Sequence, residues 1–167
     1  MDQFAGSLAG PFVFIATRGP SNLPGAILEV VIDGEEARTA AELMDRFATA
    51  FEFPDYFGRN WNAFYDCLAD LDWCPPTGYV VVIRNADAVL ADEPLHPEFE
   101  EPSELAVLLD VLLRIANEWN APINEGQPWD RPGIPFHILF LTQSDRLGAL
   151  QDRIARTGRE IPIFESF

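Results

Sequence analysis

The chain is 167 residues long and carries 27 acidic residues against 11 arginines, with no lysine, for a formal net charge of -16. Phosphate backbones are held by clustered Lys and Arg, so this charge excludes a DNA- or RNA-binding surface and suits a basic protein partner. A hydrophobic content of 48% with 13 Phe and 4 Trp is globular rather than disordered composition, and the length predicts one domain over 1–167.

The elements follow in chain order. Residues 12–16 read as a strand; as an apolar stretch they are too short and Pro-flanked for a secretion signal or membrane span. A Gly/Pro/Ser/Asn turn over 19–25 precedes a β-branched strand at 27–32, closed by Asp33-Gly34. Thr39 with Glu42 three residues later is a capping box, and Leu43, Phe47 and Phe51 share one face of the helix it starts, which Pro54 stops. After a short loop at 55–59, Asn60 is the N-cap of a second helix over 61–71, with Trp61, Phe64, Leu68 and Leu71 in one inward stripe. At 100° per residue Asn62, Asp66 and Ala69 point away from that stripe, with Tyr65 and Asp70 beside them, and this is the candidate recognition surface.

Residues 79–83 are a continuous apolar run of the kind covered on both faces of a sheet, and a short helix is expected after Asn85. The segment 92–104 is an acidic loop broken by Pro94, Pro97 and Pro102, and it reads as a solvated loop that adds negative field rather than a cation site. Ser103 caps a leucine-rich helix to about Trp119, residues 121–133 form a long loop, and 134–141 is another buried strand. Ser144-Asp145 opens a last helix carrying Leu147, Leu150 and Ile154, and 161–164 adds an edge strand. Strands alternating with helices predict an α/β layer on a small parallel or mixed sheet.

Charge is concentrated in the middle of the chain: residues 51–104 sum to -10, against -4 before and -2 after. No dinucleotide fingerprint, phosphate-binding loop, zinc-protease motif or nucleophile elbow is present, and His96 and His137 read as surface and core residues. Cys67, flanked by acids, lacks anything to lower its pKa. The sequence therefore predicts no enzyme, no cofactor and no metal. Cys67 and Cys74 straddle a helix end, too far apart for a bridge, which reads as a reduced, cytoplasmic protein. Tyr56, in the loop, and Tyr65, on the helix flank, are amphipathic aromatics near carboxylates, the type that interfaces use as anchors.

The string from Phe53 to Leu68, FPDYFGRNWNAFYDCL, closely resembles the signature of the barstar family of ribonuclease inhibitors, and the resemblance extends over about 27–142, leaving terminal extensions at 1–26 and 143–167. It implies a parallel sheet with helices packed against it, and an intracellular inhibitor that plugs the active site of a secreted or toxin-like ribonuclease, in the manner of an immunity protein, with segment 55–73. By position it makes Asp66 the central carboxylate, Tyr56 the loop tyrosine, Gly58 the turn glycine and Asn60 the N-cap amide. Asn62, Tyr65, Ala69, Asp70 and Trp73 complete the expected partner-binding set. Three positions depart from the family pattern: Asn62 replaces an acid, Tyr65 a tryptophan, and Ile115 the outlying glutamate of the later helix. These departures leave a second reading open, an acidic interaction or regulatory module with a non-nuclease partner.

Overall fold

The computed structural model describes residues 7–23, 25–74, 77–94 and 102–164. The elements run β1 (Val13–Ala16), β2 (Leu28–Asp33), a 3-10 turn (Gly34–Glu36), α1 (Ala40–Ala50), α2 (Trp61–Asp70), β3 (Tyr79–Arg84), α3 (Glu104–Asn120), β4 (Phe136–Leu141) and α4 (Leu147–Arg156). The strands form one sheet in the order β1-β4-β3-β2, parallel at every pairing, with Val30, Val81 and Ile138 in register across its centre.

Alternation along the strands assigns the two faces. Val30, Ile32, Tyr79, Val81, Ile83, Phe136, Ile138 and Phe140 join the main core, into which all four helices bury their apolar stripes. Phe14, Val80, Val82 and Leu139 form a smaller cluster on the opposite face, covered by Leu23, Ile27, Leu141 and Phe164. This double covering explains why 79–83 reads as an unbroken apolar run. His137 is buried there too, its Nε2 3.0 Å from the Ser7 carbonyl oxygen, and burial lowers its basicity.

The expected caps are in place. Thr39 and Glu42 make both halves of the capping box, and the Ser103 side chain accepts from the Ala106 amide. α1 ends before Pro54: Glu52 is left-handed (φ 53), and the Phe53 and Glu52 amides donate to the Ala48 and Thr49 carbonyls, which closes the helix with a C-terminal capping motif. Gly34 is required where β2 passes β3, because a Cβ there would lie 2.3 Å from the Asn85 carbonyl oxygen.

Four sequence expectations are corrected. The segment after Asn85 is a run of turns, broken by left-handed Asn85 and Leu90, rather than a helix. α4 starts at Leu147 with Ser144-Asp145 in the turn before it, and its N-cap Arg146 makes no side-chain capping bond. Residues 161–164 give one parallel bridge, Ile163 to Ile15, rather than a full strand. The acidic loop is partly engaged rather than simply solvated: Arg38 donates to both Asp92 oxygens at 2.9 and 2.8 Å, and Glu93 accepts from the Ala40 amide at the start of α1. Residues 95–101, including His96, and the Pro75-Pro76 stop lie outside the described residues. Among those described, no helix is long and apolar enough to cross a membrane.

Asp87 joins the β3–α3 connection to the end of β4 and to α4, accepting from the Thr142 hydroxyl at 2.7 Å and from Arg146 at 3.1 Å. Burial alone would raise its pKa, but these hydrogen bonds prevail and hold the carboxyl below its ordinary range. A carboxylate so held contributes stability above its unfolded pKa that is lost as pH falls through the folded value. Asp87→Ala is therefore expected to lose about 1–3 kcal/mol at neutral pH by urea denaturation, with the deficit shrinking in acid.

Candidate protein-binding site

The site begins with the loop before α2. The Phe57 amide donates to the Pro54 carbonyl, and the Phe57 ring packs edge-on to Phe53 at 5.0 Å, which turns Tyr56 outward to 75% exposure. Asn60 Oδ1 accepts from the Ala63 amide at 3.0 Å while its Nδ2 donates to the Gly58 carbonyl at 3.2 Å. The N-cap thus also holds the loop. A Cβ on Gly58 would meet that same amide nitrogen at 3.0 Å, so the small residue lets Asn60 fold over it.

Within α2 the inward stripe is Phe64, Cys67 and Leu68, with Leu71 buried just beyond and Trp61 half-buried. Asn62, Asp66 and Asp70, spaced four residues apart, therefore form one exposed ridge along the helix, with Ala69 half-buried beside it. Asp66 makes no hydrogen bond or ion pair among the described residues. Asp70 meets Asp72, and its pKa is raised first by burial and then by that second carboxylate.

The aromatic residues of the segment are tied to their own chain. Tyr65 donates its hydroxyl to Glu118 at 2.8 Å, and Arg114 stacks 4.1 Å over its ring while donating to the other Glu118 oxygen. Trp61 Nε1 donates to Glu104 at 2.6 Å, and Trp73 Nε1 to the Phe51 carbonyl at 2.9 Å. Tyr65 and Trp73 are accordingly half-buried, and Tyr56 is the fully presented aromatic of the segment. Burial is the first reason that the Tyr65 phenol is pushed above its usual pKa, and its bond to Glu118 the second.

Between α2 and α3 lies a groove of about 240 Å³, with Trp61, Tyr65, Val107 and Val111 as apolar lining and Asn62, Asp110 and Arg114 as polar lining. Sequence reasoning missed Arg114 and Glu118. Their spacing of four marks a helical ion pair, but nothing local indicates that Tyr65, 53 residues earlier, joins it. Ile115, assigned by position to the outlying glutamate, is fully buried, and the neighbouring Arg114 stands on the α2 side instead. Cys67 and Cys74 are free thiols, and burial, followed by Asp66 and Asp70, raises the pKa of Cys67.

An all-parallel sheet with four helices packed on one face, and the row of Asn62, Asp66 and Asp70 turned outward on α2, defines a small α/β protein with a polar, partly acidic helix face. The sequence profile described as Barstar (barnase inhibitor) matches residues 27–140, and the chain belongs to that family. It is also 40% identical over 57 residues to a Bacillus subtilis (strain 168) protein described as "Putative ribonuclease inhibitor YrdF". That match covers 34% of this chain and 59% of the relative, so the chain spans well under two thirds of the length of that protein.

The Asp70–Asp72 contact has a consequence for stability. An acid whose pKa is raised in the fold opposes folding when ionised, and the opposition disappears as pH falls and it protonates. Asp70→Asn should therefore raise the thermal midpoint at pH 7, and the gain over wild type should close at pH values below the carboxylate range.

Proposed function

We propose that the protein inhibits a ribonuclease by occluding its active site with the loop and α2, with Asp66 standing in for a substrate phosphate. The observation that carries this reading is the state of Asp66, exposed in the middle of the α2 ridge and without an internal partner among the described residues. An uncommitted carboxylate on a rigid helix is free to accept charge-assisted hydrogen bonds from Arg, Lys or His in a partner's cleft once water is excluded. Tyr56, with 75% of its surface exposed, supplies an aromatic anchor in front of the ridge, and Asn62 and Asp70 extend the contact along α2. Asn60 and Gly58 keep the loop in shape, while Tyr65 and Trp73 contribute through their exposed edges. Membership of the family and the name of the relative support a ribonuclease as the target.

Arg114 favours a particular kind of target. It places a guanidinium in a groove otherwise bordered by Asn62 and Asp110, so the matching surface is cationic opposite Asp66 but not throughout. Asn62 and the buried Ile115, which depart from the family's acidic positions, are the observations behind the second reading, a partner other than a nuclease, and one experiment separates the two.

Purified bacterial ribonucleases, barnase among them, are titrated with the full chain while RNA cleavage is followed. Stoichiometric inhibition of at least one is expected. Asp66→Ala and Asp66→Asn should each weaken binding by about 2–5 kcal/mol, the cost of leaving partner cations unpaired, whereas Asp152→Asn on α4 should leave it unchanged. Inhibition of none, or equal inhibition by the Asp66 variants, overturns the reading in favour of a different partner. With a net charge of -16, association should slow as salt is raised while dissociation barely changes, measured by stopped flow.

A further inference from the structure

The loop at 121–133 lies outside the loop-helix segment described above, yet it is built more tightly than a simple connection. Its base is closed by paired backbone bonds between Ile123 and Arg131, at 2.8 and 3.1 Å. Its tip is closed by the Asp130 carboxylate, which accepts from the Glu125 and Gly126 amides at 2.9 Å each, with Gly126 left-handed. Beneath it, the Arg131 guanidinium stacks 4.5 Å over Trp119 and donates to the carbonyls of Glu118 and Trp119, which roots the loop on the last turn of α3. Glu118 is the residue whose carboxylate holds Tyr65, so the loop stands at the end of the α2–α3 face.

This rigid loop exposes a tryptophan. Trp129 is 61% exposed, and its Nε1 donates to Glu125 at 3.1 Å, which sets the ring beside a carboxylate. Among the described aromatic residues Tyr56 and Trp129 alone are exposed, the others being buried or half-buried, and an exposed Trp adds little to the fold. Held still in advance of binding, it loses little freedom on contact, which is how a few aromatic anchors come to dominate interface energies. The ring face, with Glu125 and Asp130 beside it, suits a cation: a guanidinium or ammonium over the ring is attracted by the π cloud and by both acids.

We infer that loop 121–133 is a second docking arm, in which Trp129 and Glu125 clamp an arginine or lysine side chain of the bound ribonuclease outside its active site. This rests on the inhibitor reading above. The arm would add affinity and select among ribonucleases by a basic residue that the α2 ridge does not touch.

The test uses the full chain and the ribonuclease that it inhibits most tightly from the titrated set, with surface plasmon resonance for rates and thermal melting to confirm folding. Trp129→Ala should lower affinity by tenfold or more, mainly through faster dissociation, with an unchanged melting temperature. Trp129→Phe should restore most of the loss, and Glu125→Gln should fall between. Equal affinities for wild type and Trp129→Ala, with Asp66→Ala still defective, would overturn the arm and leave the inhibitor reading intact. If no ribonuclease binds, or if Asp66→Ala binds as well as wild type, both fall together.

Discussion

The candidate site depends on the burial of one side of α2. Phe64 and Leu68 are fully enclosed, with the Phe64 ring packed edge-on against Phe47 of α1 at 4.9 Å. Because an α-helix turns 100° per residue, committing that side to the core leaves the Asn62, Asp66 and Asp70 row no direction but outward. The polar ties from Trp61 to Glu104 and from Tyr65 to Glu118 then stop the helix from rolling on the core. The proposed inhibitor role suits this arrangement: the carboxylates of the row are held by a frame to which they contribute nothing, so on that reading little ordering cost remains for the moment of binding.

That arrangement works against the stability of the fold. Asp70 and Asp72 meet at the end of α2, and the middle third of the chain carries most of the net charge. The compensation is visible in the arginines, which are spread over the body of the protein as local staples. Arg38 holds Asp92 beside the start of α1, Arg153 donates to the Asp87 and Val89 carbonyls between β3 and α3, and Arg159 bonds Asp110 of α3. Of the arginines near the ridge, Arg114 is engaged by Glu118 and Arg59 by Asp45, which leaves Asp66 uncommitted.

Much of this was legible in the residues themselves. The caps at Thr39, Asn60 and Ser103, the doubly covered strand at 79–83 and the exposure of Asn62, Asp66 and Asp70 on α2 follow from local periodicity and side-chain chemistry, whereas Ala69 and Tyr65, expected outward with them, are half-buried. What escaped the sequence is non-local or conformational. The turn after Asn85 depends on left-handed residues that no glycine marks. Glu93 reaches the α1 N-terminus from 53 residues away, and Tyr65 meets Glu118 across a similar distance. Residues 121–133 read as a loop from their Pro and Gly content, but its rigidity comes from Asp130 and from an Arg131 stack that spacing does not reveal.

The strand at the far edge of the sheet carries a last consequence. Residues 27–140 contain β2, β3 and β4, so without the N-terminal extension β4 would offer an unpaired apolar rim to any passing chain. β1 seals that rim, pairing Val13 with Ile138, and is itself flanked by the bridge from Ile163. That seal joins segments far apart in sequence, a pairing of the slow, long-range kind, and until it forms the β4 rim stays open to other strands.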